Sequence, residues 1–272
     1  MRVAAFASGS TGNATLITTA DGALLYDAGL PQRAIAAQCA SLGVAMSAIR
    51  GVFVSHEHTD HTTSAVALAR RYQIPLIATM GTMRALKIPA GVETIVCRAG
   101  DTLEFGAFSI LPIRVSHDAQ EPVGMTLRYG ERTVSIATDL GEWDQTLLDA
   151  CRDAELIIIE SNHEREHLMQ CGYTAALKQR IASRTGHLDN VQAGTFLANL
   201  AADGKKRTAW LAHLSQEANT ATVALRSVSS VLKFHQREAQ YRSIVALPRQ
   251  KTIVWGDAQR SYQLDLWADS QL

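Results

Sequence analysis

Four side chains able to hold a metal ion, His56, His58, Asp60 and His61, fall within the run His56-Glu57-His58-Thr59-Asp60-His61. Neither the helical period of roughly 3.6 nor the strand period of two calls for that spacing. Imidazole and carboxylate together suit a borderline or hard divalent cation such as Zn²⁺ or Mn²⁺. The run follows an apolar stretch, Gly51-Val52-Phe53-Val54-Ser55, so it belongs where a buried strand gives way to a loop. A His-rich surface tract would lack that strand and the interleaved Asp. A helical H-E-x-x-H zinc site needs histidine at its first and fifth positions. Here the fifth position is Asp60, which excludes that site.

The other metal-capable residues also follow apolar runs. Ile110–Ser116 ends in His117-Asp118, Val134–Thr138 in Asp139, Leu156–Ile159 in Glu160-Ser161-Asn162-His163, and Ala209–Ala212 in His213. Taken singly, His117 reads as a partly buried structural histidine, Asp139 as a strand-end cap and His213 as nothing special. Their shared placement is what points to a site, because loops leaving strand ends at one sheet edge are where sites assemble. Two cations about 3.5–4 Å apart can share a ligand, and His56, His58, Asp60, His61, His117, Asp139 and His213 form a matching set. Asp27, at the end of a third apolar run, either aligns the histidine loop by hydrogen bonds or makes the turn before Gly29.

Those residues need a scaffold. The chain has 272 residues, 47% of them hydrophobic, enough for one large core or two small ones. Short strands are expected over Val3–Ala7, Thr15–Thr18, Ala23–Tyr26, Gly51–Ser55, Pro75–Ala78, Leu156–Ile159 and Thr208–Ala212. Hairpins are expected about Gly106, at Gly130-Glu131, and between Ser243–Leu247 and Thr252–Trp255. Helical spacing covers Pro31–Leu42, Thr63–Tyr72, Gln145–Cys151, Thr174–Ser183, Asn190–Leu200 and Thr220–Lys233. The tail from Asp257 is weakly patterned. This alternation predicts one α/β domain of stacked layers over 1–272, with the motifs in 1–225 and a C-terminal helix, strands and tail over 226–272. Formal net charge is zero. The four cysteines are scattered, no apolar stretch approaches the ~20 residues of a membrane span, and the start carries no signal-peptide core. A cytoplasmic protein with no membrane contact is expected. Its oligomeric state is left open, a dimer included.

The order His56-x-His58-x-Asp60-His61, then a lone His, a lone Asp and a final His, resembles the metallo-β-lactamase superfamily. The resemblance implies a four-layer αββα sandwich of two mixed β-sheets flanked by helices. It implies two divalent metal ions, Zn or Mn: His56, His58 and His117 on one, Asp60, His61 and His213 on the other, Asp139 bridging. A hydroxide shared by the two metals would be the nucleophile, with Asp60 orienting it. The later segments Glu160-Ser161-Asn162-His163, Gly186-His187-Leu188-Asp189-Asn190 and His213-Leu214-Ser215 resemble the phosphodiesterase branch, where a Glu and a later His form a relay beside the leaving group. Glu160 and His187 would take those roles; a strand-end acid paired with a base, and a helix-capping histidine, are the plainer alternatives. Asn162 and His163 would touch substrate or brace the site.

Together with Ala7-Ser8-Gly9-Ser10-Thr11-Gly12-Asn13 and His117-Asp118-Ala119-x-x-Pro122-Val123-Gly124, these segments resemble the YycJ/WalJ group, described as 5′-to-3′ exonucleases on double-stranded DNA. Ser64, Glu164 and Asp189 depart from the group's pattern, and Asp189 adds negative charge near a phosphate site. The loop bearing Ser10 and Asn13 would either offer N–H groups to a phosphate or simply turn a hairpin. From Lys178 to Lys251, twelve lysines and arginines oppose Asp189, Asp203, Glu217 and Glu238, an excess of eight positive charges. Such an excess suits a nucleic-acid backbone if the side chains converge. The expected activity is metal-dependent phosphodiester hydrolysis, in the form of a 5′–3′ DNA exonuclease. A phosphodiesterase for cyclic phosphates or nucleotides, and a lactone or thioester hydrolase, are the alternatives.

Overall fold

The computed structural model describes residues 1–256; the tail from Asp257 lies outside the described residues. A first group of strands is β1 (Arg2–Ala7), β2 (Ala14–Thr19), β3 (Gly22–Tyr26), β4 (Ile49–Phe53), β5 (Leu76–Thr79) and β6 (Thr94–Cys97). A second is β7 (Leu103–Phe105), β8 (Phe108–Arg114), β9 (Val123–Tyr129), β10 (Arg132–Ala137), β11 (Leu156–Glu160), β12 (Arg207–Ala212) and β13 (Tyr241–Ala246), and β14 (Ile253–Trp255) closes the series. They form two seven-stranded sheets, ordered β14-β1-β2-β3-β4-β5-β6 and β13-β12-β11-β10-β9-β8-β7. The helices are α1 (Gln32–Ser41), α2 (Thr59–Thr62), α3 (Ala65–Tyr72), α4 (Met80–Leu86), α5 (Gln145–Ala150), α6 (Arg165–Gln170), α7 (Ala175–Ile181), α8 (Asn190–Leu200) and α9 (Ala221–Phe234).

Alternation along each strand builds three apolar layers, because successive side chains point to opposite faces. Val3 and Ala5 of β1 join Leu156 and Ile158 of β11, Met125 and Trp210 in the core between the sheets. Ala4 and Phe6 of β1 face outward onto Ile35, Leu68 and Met83 from α1, α3 and α4. Ile157 and Ile159 of β11 face the other way, onto Leu147, Phe196 and Val228 from α5, α8 and α9. The result is helix, sheet, sheet, helix, the four-layer αββα sandwich.

Three local expectations need correction. The last two strands are not a hairpin: β13 pairs parallel with β12 in the second sheet, and β14 pairs antiparallel with β1 in the first. The helix expected over Thr63–Tyr72 begins at Ala65 as α3, and a separate short helix, α2, takes in Asp60 and His61. The pattern also missed α4, β6 and α6. Short elements of four to seven residues give hydrophobic periodicity too few turns to register.

Candidate metal centre

Strand direction brings the candidate residues to one edge. β1, β3, β4 and β5 run the same way in the first sheet, related by two antiparallel steps and then parallel ones. β8, β10, β11 and β12 do so in the second. Asn13 lies in the loop after β1, Asp27 ends β3, and the histidine run follows β4. His117, Asp139 and His213 follow β8, β10 and β12, while Glu160 closes β11. The two edges are tied to each other. The His213 N–H donates to Ser8 Oγ at 2.8 Å, and the Val123 N–H donates to the Ser55 carbonyl at 3.0 Å.

At that edge His56, His58 and His117 offer ligand atoms within 4.8 Å of one another, and so do Asp60, His61 and His213. Asp139 lies against the second trio, with Oδ2 3.2 Å from Nε2 of His61 and Oδ1 3.4 Å from Nε2 of His213. It also groups with His56 and His61. Nε2 of His56, Nε2 of His213 and Oδ2 of Asp139 are buried without a hydrogen-bond partner. Buried polar atoms in native folds are rarely left so. Two divalent cations would supply what they lack, and the imidazole and carboxylate donors fit such ions.

Strain marks the same places. Asp27, Asp139 and His213 hold φ of 57, 58 and 55°, a left-handed backbone that costs a non-glycine residue about 1–3 kcal/mol. Asp27 is fully buried and accepts hydrogen bonds from Ser55 N, from Ser55 Oγ and from His61 Nδ1, at 2.8, 3.0 and 2.7 Å. The last contact leaves Nε2 of His61 facing the cluster. Gly29 admits no side chain: a Cβ there would sit 1.6 Å from the Asp60 carbonyl oxygen.

Charge in the cluster is balanced internally. Burial lowers the His56 pKa, and the neighbouring His61 lowers it further. Burial works the same way on His61 and His213, but Asp139 and the other carboxylates outweigh it. Both are raised, His213 to about 10. Burial opposes the Asp60 charge, yet the imidazoles of His213 and His61, with Nε2 at 3.6 and 3.5 Å, hold its carboxyl well below the usual range.

Glu160 is fully buried beneath the cluster. Its Oε1 lies 2.9 Å from Nδ1 of both His187 and His213, and Oε2 accepts from the Leu140 and Leu188 N–H groups at 2.9 and 3.3 Å. Burial alone would raise its pKa; the two histidines outweigh it and push it down to about 2. His187 is presented by a tight turn after α7, where its N–H donates to the Ile181 carbonyl at 2.9 Å. Gly186 makes that turn possible, because a Cβ would lie 2.2 Å from the Arg180 oxygen. The cap of α8 is Asp189, which forms a capping box with Gln192, so His187 is not a capping residue.

The remaining candidates divide. Asn162 donates from Nδ2 to the His213 carbonyl at 2.8 Å. His163 is buried beside Asp189. Asn13 folds its own loop, accepting from Gly9 N at 2.8 Å, and its Nδ2 lies 3.0 Å from Nε2 of His61. Ser10 is exposed at the loop tip and takes no part in the hydrogen bonds described around the cluster. The charge of Asp189 is offset by an ion pair with Arg165. Several cations of the basic second half are taken up in ion pairs. Arg207 is buried and bound to Asp203, while Arg180, Arg184 and Lys205 pair with Asp118, Glu142 and Asp153. Sequence reasoning missed Ser8 and Ser55, which hold His213 and Asp27, and Arg249, whose Nη2 donates to the Ser215 carbonyl beside His213. A serine in a strand-end loop carries no signal by type; only its partner across the fold gives it a role.

The model of the beta-lactamase superfamily domain matches residues 23–214, a span holding all seven candidate ligands. The chain belongs to the metallo-β-lactamase superfamily. It is 34% identical over 232 residues to the exodeoxyribonuclease YycJ of Bacillus anthracis, covering 84% of this chain and 87% of that one. It is 31% identical over 225 residues to the exodeoxyribonuclease WalJ of Streptococcus pneumoniae, covering 80% and 83%. Among solved structures, the metallo-β-lactamase fold protein YhfI from Bacillus subtilis superposes with a TM-score of 0.69 at 19% identity, over 94% of this chain and 99% of that one. That likeness speaks for the fold. No helix among the described residues is long and apolar enough to cross a membrane.

Proposed function

We propose that the chain is a binuclear metal-dependent phosphodiesterase acting on DNA, as a 5′–3′ exonuclease, folded as one hydrolase domain. The observation that carries this reading is the Glu160–His187 pair set beside the ligand cluster. A thioester expels a thiolate, which leaves without a proton, whereas the alkoxide leaving a phosphodiester needs one; a lactone expels an alkoxide too, and against it stand the names of the relatives. The exodeoxyribonuclease names of YycJ and WalJ support DNA as the substrate.

His56, His58 and His117 would hold one cation, Asp60, His61 and His213 the other, with Asp139 shared. When bound, the cations lower the pKa of a shared water and offset charge on the phosphoryl oxygens. Asp60, 23% exposed at its side chain, is placed to orient the attacking water. Glu160 accepts Nδ1–H of His187 and orients the ring, so that in its imidazolium form Nε2–H is the proton offered to the leaving oxygen. The water oxygen bonds to phosphorus, the P–O3′ bond breaks, and O3′ departs with its electron pair and takes the proton from Nε2. The water's own proton passes to solvent and replaces the one His187 gave. Asp27 and Asn162 act through the ligands they hold.

Purified protein loaded with Mn²⁺ or Zn²⁺ tests this against end-labelled duplex DNA, single-stranded DNA, RNA, bis(p-nitrophenyl) phosphate and a lactone. Cleavage of duplex DNA, lost on Asp60→Ala/His61→Ala, is expected. Turnover of the lactone alone would overturn the reading.

A further inference from the structure

His187 belongs to two neighbourhoods. Its ring packs against those of His117 and His213 at centroid distances of 5.3 and 5.2 Å. It also forms a wall of a separate cavity of ≈ 200 Å³, bounded by His163, Arg165, Met169, Ala182 and Asp189. Another cavity, ≈ 530 Å³, is lined by Met1, Thr19, Asp21 and Arg50 and by none of the candidate ligands.

The smaller cavity has three properties that bear on an occupant. Its size is below the roughly 300–1,000 Å³ of sites for drug-sized ligands, so it suits one nucleoside and not a length of strand. Its floor contains Asp189, 2% exposed, with Oδ1 taken by the Gln192 N–H at 2.7 Å and Oδ2 by Arg165. Arg165, which also lines the cavity, balances the charge of that carboxylate, so neither a base and sugar nor the 5′-phosphate they carry meets an unpaired negative charge. His163 is 2% exposed and its Nδ1 is buried without a partner, an unmet hydrogen bond in the cavity wall. Met169, 60% exposed, adds a polarizable apolar surface at the rim.

We propose that this cavity is the subsite for the terminal nucleoside of the strand being cut, the one that departs on its O3′. The inference rests on the reading of the centre as a phosphodiesterase. A leaving oxygen that takes its proton from Nε2 of His187 must lie within hydrogen-bond reach of that ring. The group bonded to the oxygen then occupies the space on the ring's other flank, which is this cavity. Room for a single nucleoside limits the leaving group to one terminal unit with the 5′-phosphate it carries, so the products are 5′-mononucleotides. Nothing in the cavity reads a particular base edge by a matched pair of donors, and all four nucleosides are accommodated.

Ala182→Trp, which narrows the cavity, and Met169→Asp, at an exposed position that folding tolerates, test the subsite in the full metal-loaded protein. Three readings are taken: KM and kcat for duplex DNA, competitive inhibition by thymidine, and thymidine binding by calorimetry. The expected result is a KM and a thymidine Ki both raised about tenfold, with most of the loss in KM and not in kcat, and unchanged metal content. Unchanged KM and Ki in both variants, or a wild-type protein that does not bind thymidine, would overturn the subsite. If the wild type cleaves no phosphodiester at all, the reading of the function falls. Calorimetry then still decides the cavity, by whether thymidine binds the wild type and is lost on Ala182→Trp.

Discussion

Oε1 of Glu160 serves two imidazoles at once, Nδ1 of His187 and Nδ1 of His213. One side chain therefore aims a ligand and an acid together, each with Nε2 turned outward. His187→Ala removes only the acid. It should lower kcat on DNA about 10²–10⁴-fold while metal content, read by elemental analysis, stays at the wild-type level. The loss should shrink on bis(p-nitrophenyl) phosphate, whose leaving group needs no proton. A second consequence concerns His61 and His213, both raised in pKa by the carboxylates around them. Being raised, they hold protons at neutral pH until a metal arrives, and metal ligation requires neutral imidazole. Metal uptake near pH 7 should thus release the protons of these two residues, and affinity should rise as pH rises toward 10. Calorimetry in buffers of different ionisation enthalpy measures the release.

At the scale of elements, precision comes from strand ends held in a backbone form that strands do not favour. Asp27, Asp139 and His213 each turn the chain sharply as β3, β10 and β12 end. The strain persists because other parts over-determine it: Ser55 and His61 on Asp27, Ser8 and Asn162 on His213. Asp27→Ala would free His61 to rotate and leave the Ser55 N–H unpaired. Metal affinity should fall about 10–100-fold, read by competition with a chelator; wild-type affinity would remove Asp27 from the site's support. The turn carrying His187 is fastened to the His117 loop by Arg180 on Asp118, by Ser116 Oγ on the Arg184 carbonyl at 2.7 Å, and by His117 Nδ1 at 3.2 Å from the Gly186 carbonyl. Helix α7 is thus part of how the site is built, although none of its side chains is a ligand candidate.

For the whole molecule, the ligands come from both sheets, so closing the centre and packing the sheets face to face are one event. Away from that edge, Arg207 enters β12 buried, its charge met by Asp203 and by the Leu200 and Arg152 carbonyls. The Arg207 hydrogen bond draws the Asp203 carboxyl down to about 2. A carboxylate depressed on folding stabilises above its unfolded pKa of about 3.9 and loses that stabilisation as pH falls toward 2. Asp203→Asn should lower Tm at pH 7 and barely change it near pH 2, by thermal denaturation at the two pH values. An equal shift at both would show that the pair contributes through packing and not charge.

The candidate ligands stood out in the sequence because metal ligation depends on residue type, and histidines and aspartates at strand ends are conspicuous by type; the structure brings them together at one edge. The apolar run Val3-Ala4-Ala5-Phe6 likewise announced a strand, and the structure shows it buried on both faces. Three things were not legible. The pairing of β14 with β1 joins the two ends of the described chain, a contact no local pattern encodes. Three of the cations between Lys178 and Lys251 pair with Asp118, Glu142 and Asp153, acids outside that segment that a count along the chain does not bring to them. Serines 8 and 55 acquired roles only from what they face. The sequence by itself determined which chemistry the chain can do, because the donors are covalent facts. Only the tertiary structure decided where the proton donor stands and what room lies beside it, because direction and volume arise from packing distant segments together.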